Sequence, residues 1–163
     1  MLNIANVLKN DKFDEVLITL DTHTVLDIAH TSWWRDNQGK EINPFTMISS
    51  VDILSGKYVS ADPEMKEYSL NYTLALEKAG NYTHFVWPNH CIVGTKGHEI
   101  HDLIKNAINE INIPVTYLNK GMNIKTEHYS AFKAEVPLAE DKGTELDIKT
   151  IEYINKFDKI VFS

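Results

Sequence analysis

EVLITLD, residues 15–21, is a short apolar run rich in β-formers and closed by an acidic residue, so it reads as a buried strand that delivers Asp21 at its carboxyl end. Ahead of it, Ile4, Val7 and Leu8 fall at helical spacing, which predicts a short helix over residues 2–8 packed on that strand. A second strand is expected at PVTYLN, residues 114–119, ending at Lys120 and Gly121. Before it, Ile100, Leu103, Ile104, Ala107, Ile108 and Ile111 make a one-sided stripe and predict a helix over residues 97–111. Thr144 to Asp147 matches a capping box, Leu146, Ile151, Ile154 and Phe157 give the following helix an inward stripe, and DKIVFS, residues 158–163, reads as a third strand. Strands alternating with helices indicate the α/β class, a parallel sheet flanked by helices, in which ligands collect at the carboxyl ends of strands. Asp21 and Lys120 both fall there.

The middle of the chain reads differently. Asp36, Asn37, Gly39, Asn43 and Pro44 punctuate residues 33–56, which predicts loop with limited local structure. Met65, Tyr68, Tyr72, Leu76 and Ala79 then fall at helical spacing with Gly80 as a stop, so a helix is expected over residues 63–79. There is no internal repeat and no low-complexity tract, and one domain over residues 1–163 is expected.

With 43% hydrophobic residues, 163 residues can bury a core without disulfides, and the single cysteine, Cys91, excludes an internal disulfide framework. Such sparse cysteine use favours a reducing compartment, the cytoplasm. The first sixteen residues show no apolar core behind a basic patch, so neither a signal peptide nor a membrane anchor is expected there. A formal charge of −7 argues against a nucleic-acid face, which concentrates Lys and Arg, and points to a small-molecule partner.

Asp21-Thr22-His23 leaves the first strand in extended or turning chain, where residues two apart can grip one ion; His30 follows seven residues later, and His90 arrives from a distant loop beside Trp87 and Pro88. Three imidazoles and a carboxylate suit zinc, iron or manganese better than calcium or magnesium. A lone D-x-H arises often by chance, and a single histidine is more often a surface or core residue than a ligand. His98 and His101, three apart on the expected helix, read as a solvated face and a packing contact, whereas His84 and His128 have no partner that spacing identifies.

Three ordered segments carry a resemblance. DTHTVLDIAHTSWW, residues 21–34, is similar to the D-x-H…H-x-S-F segment of nicotinamidases and related cysteine hydrolases of the isochorismatase-like superfamily. WPNHCIVGTKGHEIH, residues 87–101, resembles their W-P-x-H-C-x-x-G-T-x-G-A-E-x-H segment, and residues 119–132 resemble their K-G…Y-S-A-F segment. The resemblance implies a three-layer α/β/α fold, Asp21, His23, His30 and His90 as ligands of one divalent metal, with zinc favoured over iron or manganese, and Lys120 as the lysine of an Asp-Lys-Cys catalytic set. It implies Trp87 and Tyr129 as the lining of a pocket for nicotinamide or a related carboxamide. In such enzymes a cysteine thiolate attacks the carboxamide, an aspartate shuttles the proton and backbone amides hold the oxyanion. The family's aspartate strand has no counterpart before Asp21, and its nucleophilic cysteine follows a strand like the one expected at residues 158–163, so the copy reads as incomplete at both ends. The resemblance makes Cys91 a packing residue beside a ligand. The gap from His23 to His30 is one residue longer than the usual spacing, and residues 35–82 read as an insertion that could form a lid or an oligomer contact. A metal-binding short form without catalysis is the alternative expectation, and metal-water hydrolysis without a cysteine is a third.

Overall fold

In the computed structural model, which describes residues 1–10, 12–80 and 82–163, the amino-terminal stripe folds as helix α1 (Leu2–Asn10) and the EVLITLD run as strand β1 (Val16–Asp21). Short elements follow: strands β2 (Trp34–Asp36) and β3 (Thr46–Ile48), helix α2 (Ser50–Leu54), strand β4 (Tyr58–Ser60), helix α3 (Lys66–Ala79) and strand β5 (His84–Val86). Helix α4 (Asp102–Glu110), strand β6 (Val115–Lys120) and helix α5 (Ile148–Ile154) complete the order.

β1 and β6 pair in parallel, with Val16 opposite Val115 and Asp21 opposite Lys120. The Thr22 amide donates to Lys120 O at 2.8 Å and carries the ladder one step beyond the strand end. That register sets the two polar residues side by side where both strands run out, the place at which parallel sheets present ligand groups. α1 packs on α4 rather than chiefly on β1. Ala5 and Ala107 are small enough to let the helices approach, and Ile4, Leu8, Ile104 and Ile108 close around them.

The larger core lies in the middle of the chain. Ile28, Trp34, Ile48, Tyr72, Leu76 and Val86 are buried together between α3 and two antiparallel strand pairs, β2 with β4 and β3 with β5. Residues 33–56, expected to be loop, therefore contain two strands and a helix. Three-residue strands are too short to show a period, and their partners come from residues 58–60 and 84–86, which no local pattern announces. α2 does carry a local signal: Ser49 accepts from the Asp52 amide and the Asp52 side chain accepts from the Ser49 amide, a capping box. α3 forms as expected, after a 3-10 turn at Pro63–Met65, and Gly80 ends it with φ of 72°.

Three other expectations are corrected. The helix expected over residues 97–111 starts at Asp102, because Lys96–His98 forms a separate 3-10 turn and His101 caps α4, its Nδ1 accepting from the Leu103 amide at 3.2 Å. The cap of α5 is Asp147, which accepts from the Thr150 amide at 3.0 Å; Thr144 instead closes a 3-10 turn, and Leu146 stays 48% exposed ahead of the helix. Residues 158–163 make no strand, and Phe162 is 85% exposed. β-propensity alone does not hold a strand where no neighbour pairs with it, and among the described residues none does. No helix among them is long and apolar enough to cross a membrane.

Candidate metal centre

Asp21 and Lys120 meet as an ion pair at the paired strand ends. Lys120 Nζ also donates to His128 O at 2.8 Å, which fixes the ammonium against the loop that follows β6. From Asp21 the chain passes through Thr22 to His23, whose backbone is stitched to the His90 loop: its amide donates to Cys91 O at 3.1 Å, and its carbonyl accepts from Val93 at 2.9 Å. A second stitch joins the loop of His30 to the same segment, Trp87 N donating to Ala29 O at 2.7 Å. Two chain segments far apart in sequence are thereby held edge to edge, and their histidines converge.

The rings of His23, His30 and His90 form a triangle with centroids 4.8, 5.0 and 5.1 Å apart. His23 Nδ1 lies 3.0 Å from Asp27 Oδ2 with both side chains 1% exposed, and Asp27 Oδ1 accepts from the Ala29 amide at 2.9 Å. His30 Nδ1 lies 3.1 Å from Thr24 O. A carboxylate or carbonyl on one ring nitrogen fixes the proton there and leaves the other as a ligand, the arrangement metal-binding histidines adopt. Gly121, at φ of 73°, lies flat against His23, and a Cβ there would sit 2.7 Å from His23 Cε1. Only glycine permits both that backbone and that approach.

His30 Nε2 faces His90 Nδ1 at 3.2 Å, and the same His90 Nδ1 lies 3.0 Å from Pro88 O. By the same rule Pro88 O holds the proton on His90 Nδ1 and leaves His90 Nε2 as its ligand atom, so the approach to His30 Nε2 is a hydrogen-bond contact between the rings and not a pair of ligand nitrogens. On the other side, ligand atoms of Asp21, His90 and Cys91 lie within 4.8 Å of one another. A carboxylate, an imidazole and a thiol suit an ion of the zinc type, but no three of the expected ligands Asp21, His23, His30 and His90 bring their donor atoms this close among the described residues, and His23 and His30 stand outside the group.

The electrostatics are mixed. Burial pushes His23 down, but the hydrogen bond and charge of Asp27 outweigh it and its pKa lies above the ordinary value. His30 lies below the ordinary value, from burial and the neighbouring His23 and His90 rings. Burial, with the Asp21 charge, raises the Cys91 thiol, which disfavours the thiolate at this half-buried position.

These groups surround a cavity of about 240 Å³ lined by Asp21, His23, His90 and Lys120 on the ionic side and Trp87 and Tyr129 on the aromatic side. His30, in contact with His90, is not among the lining residues. The remaining lining residues, Glu127 and His128, were not among the sequence candidates. Burial raises Glu127 despite the His128 amide at 2.8 Å and the charges of His23 and Lys120, and burial with Lys120 lowers His128, whose Nδ1 is buried without a partner among the described residues. The only sequence signal for Glu127 is its place two residues before Tyr129, which in extended chain puts both on one side. His98, outside α4, has Nε2 3.0 Å from Thr22 Oγ1, and His84 is a core residue.

Asp27→Asn is expected to weaken divalent-metal affinity by about 10- to 100-fold, the effect of losing a carboxylate that orients a ligand histidine. Competition with a chromophoric chelator measures it, and an unchanged affinity would separate His23 from the metal.

No family model matches the chain, and no curated protein matches it. Among solved structures it is similar to a nicotinamidase/pyrazinamidase from Acinetobacter baumanii, with 20% identity, a TM-score of 0.54, and 97% of this chain and 53% of that one covered. It is also similar to the yeast nicotinamidase Pnc1p, with 18% identity, a TM-score of 0.55 and coverage of 95% and 57%. The same yeast enzyme bound to the inhibitor nicotinaldehyde gives 17%, 0.57, and 97% and 59%. The chain spans a little over half the length of the nicotinamidase structures it matches. Its architecture, a parallel strand pair with flanking helices and residues 21 and 120 at the strand ends, is thus that of the isochorismatase-like α/β fold.

Proposed function

We propose that the chain is part of a metal-dependent amidohydrolase of the nicotinamidase kind, acting on nicotinamide or a related carboxamide to give the acid and ammonia through a cysteine nucleophile outside these 163 residues. The observation that carries this reading is the cavity itself: an Asp21–Lys120 pair with His23 and His90 on one side, Trp87 and Tyr129 on the other. Asp21, His23, His30 and His90 would hold the ion, zinc by preference, with iron or manganese as the other candidates. The ion would supply Lewis-acid orientation of the substrate's ring nitrogen and bound water. Trp87 and Tyr129 stack on and flank an aromatic ring, excluding water from its face. Lys120 places a fixed positive charge at the reacting end, where it favours an ionised carboxylate or thiolate. Cys91, the one cysteine in the sequence, has its thiol raised, so the reading calls for a nucleophilic thiol other than Cys91.

That last point favours a second reading, a metal-binding form that recognises the carboxamide without hydrolysing it. Ammonia release from nicotinamide, measured for the zinc-loaded chain and for a version extended at both ends, separates the two. Turnover only by the extended protein is the expected result. Absence of turnover on any carboxamide by either protein, with metal bound, would leave the second reading. Turnover by the 163-residue chain that disappears in Cys91→Ala would overturn the role given to Cys91. A cytoplasmic setting, a small-molecule partner, and a lid or homo-oligomer contact formed by residues 35–82 belong to the same proposal.

A further inference from the structure

We propose that Glu127 is a specificity-determining residue of the cavity, selecting a primary carboxamide and rejecting the corresponding carboxylic acid. This rests on the carboxamide reading above and names the group within the site that would enforce it.

Glu127 is 6% exposed, and its backbone is pinned on both sides. Its amide donates to the Tyr72 hydroxyl at 3.2 Å, tying it to the main core, and its carbonyl accepts from the Glu135 amide at 2.8 Å. Of the two carboxylate oxygens, Oε1 accepts from the His128 amide at 2.8 Å. Oε2 has no hydrogen-bond partner among the described residues and, unlike His128 Nδ1, is not fully sealed, and Glu127 is one of the residues that line the cavity. A buried carboxylate with one oxygen fixed and the other open to a cavity is an acceptor waiting for a donor.

The neighbouring Asp21, Lys120 and His23 already have partners. Asp21 is paired with Lys120, Lys120 also binds His128 O, and His23 is held by Asp27. Glu127 therefore offers a nearly buried carboxylate oxygen without a hydrogen-bond partner among the described residues. A carboxamide brings N–H donors and no charge, so its amide nitrogen can complete Oε2. The acid brings only acceptor oxygens and a negative charge, which leaves Oε2 unpaired and sets like charges together in a water-poor site. The same residue that holds the substrate would thus repel the product once ammonia has left.

The test is calorimetric titration of the zinc-loaded 163-residue chain with nicotinamide and with nicotinate at pH 8, in wild type and Glu127→Gln. Gln keeps the shape, loses the charge and gains a donor. Nicotinamide affinity is expected to fall about 10-fold and nicotinate affinity to rise about 10-fold, opposite changes that a purely structural role would not produce. Changes of equal size and sign for both ligands, or no change, overturn the role of Glu127 while leaving the carboxamide reading in place. Wild type binding neither ligand overturns the carboxamide reading and this assignment with it. Should the variant fail to fold, benzamide against benzoate on the wild-type chain decides: preference for the amide by about 10-fold or more supports the role, and equal binding overturns it.

Discussion

Trp34→Ala is expected to lower folding stability by about 3–5 kcal/mol, the range for emptying a fully buried tryptophan site. The ring is wholly buried, its Nε1 donates to Ile28 O at 2.8 Å, and it packs on His84 with centroids 5.2 Å apart. Against a native stability of about 5–15 kcal/mol that is a large share. In a chain of this size the midpoint of thermal unfolding should fall by roughly 6–20 °C. The consequence reaches the site. Ile28 precedes the Ala29–Trp87 backbone bond that holds the His30 loop beside the His90 loop, so loosening the core beneath it should weaken metal binding without touching a ligand. Trp34→Phe keeps most of the volume and loses the Nε1 bond, while Ile28 O still accepts from His84 Nε2 at 3.0 Å, and it should cost less than half as much. Urea denaturation of the three proteins measures the difference, and a cost under about 1 kcal/mol for the alanine variant would contradict this account of the core.

The parts of the fold that can be read without coordinates are those whose pattern is local and long. EVLITLD and PVTYLN are runs of six or seven residues ended by polar groups, and α3 spans 14 residues with a glycine at its end, so periodicity and punctuation suffice. The strands at Trp34–Asp36 and Thr46–Ile48 are three residues each and exist because of partners far along the chain. Residues 158–163 show the converse, since a good β-former composition produces no strand without a neighbouring edge. The same division runs through the site. Asp21, Trp87, His90, Lys120 and Tyr129 lie in motif-bearing segments, and the strand register and two backbone stitches bring them to one cavity. Asp27 and Glu127 gain their importance from burial, which is a property of the whole packing; each lies inside a quoted segment, residues 21–34 and 119–132, but at a position that the segment's pattern leaves open. Asp27 is the nearer of the two to being legible, four residues after His23, the spacing at which a returning loop can bring a carboxylate back to a ring.

His84 carries the second large effect, an acid sensitivity lodged in the core and not in the metal site. It lies between Trp34 and Tyr72, with ring centroids 5.2 and 5.5 Å away, and Nε2 donates to Ile28 O, so the neutral Nε2–H form suits the site. Burial pushes its pKa down to about 4, with the Ile28 carbonyl only partly offsetting that. In the unfolded chain the ring titrates near 6.5, so the unfolded state takes up the proton first. Stability is unaffected above about pH 6.5 and falls as pH drops below it. By pH 4 this ring has cost about 3 kcal/mol, because the unfolded state gains about 1.4 kcal/mol for each pH unit over which it alone holds the proton. His30 and His128, also lowered by burial, push in the same direction, while His23, raised by Asp27, pushes the other way. Those contributions remain when His84 is replaced, which is how its own share is isolated. His84→Gln keeps a donor for Ile28 O and removes the titration. Urea midpoints of the metal-free protein from pH 7.5 to 4 should fall steeply in wild type and more gently in the variant, the two curves diverging below pH 6.5. Parallel curves would show that His84 is not the neutral core ring that its burial requires, and the metal-site histidines would then account for the whole slope.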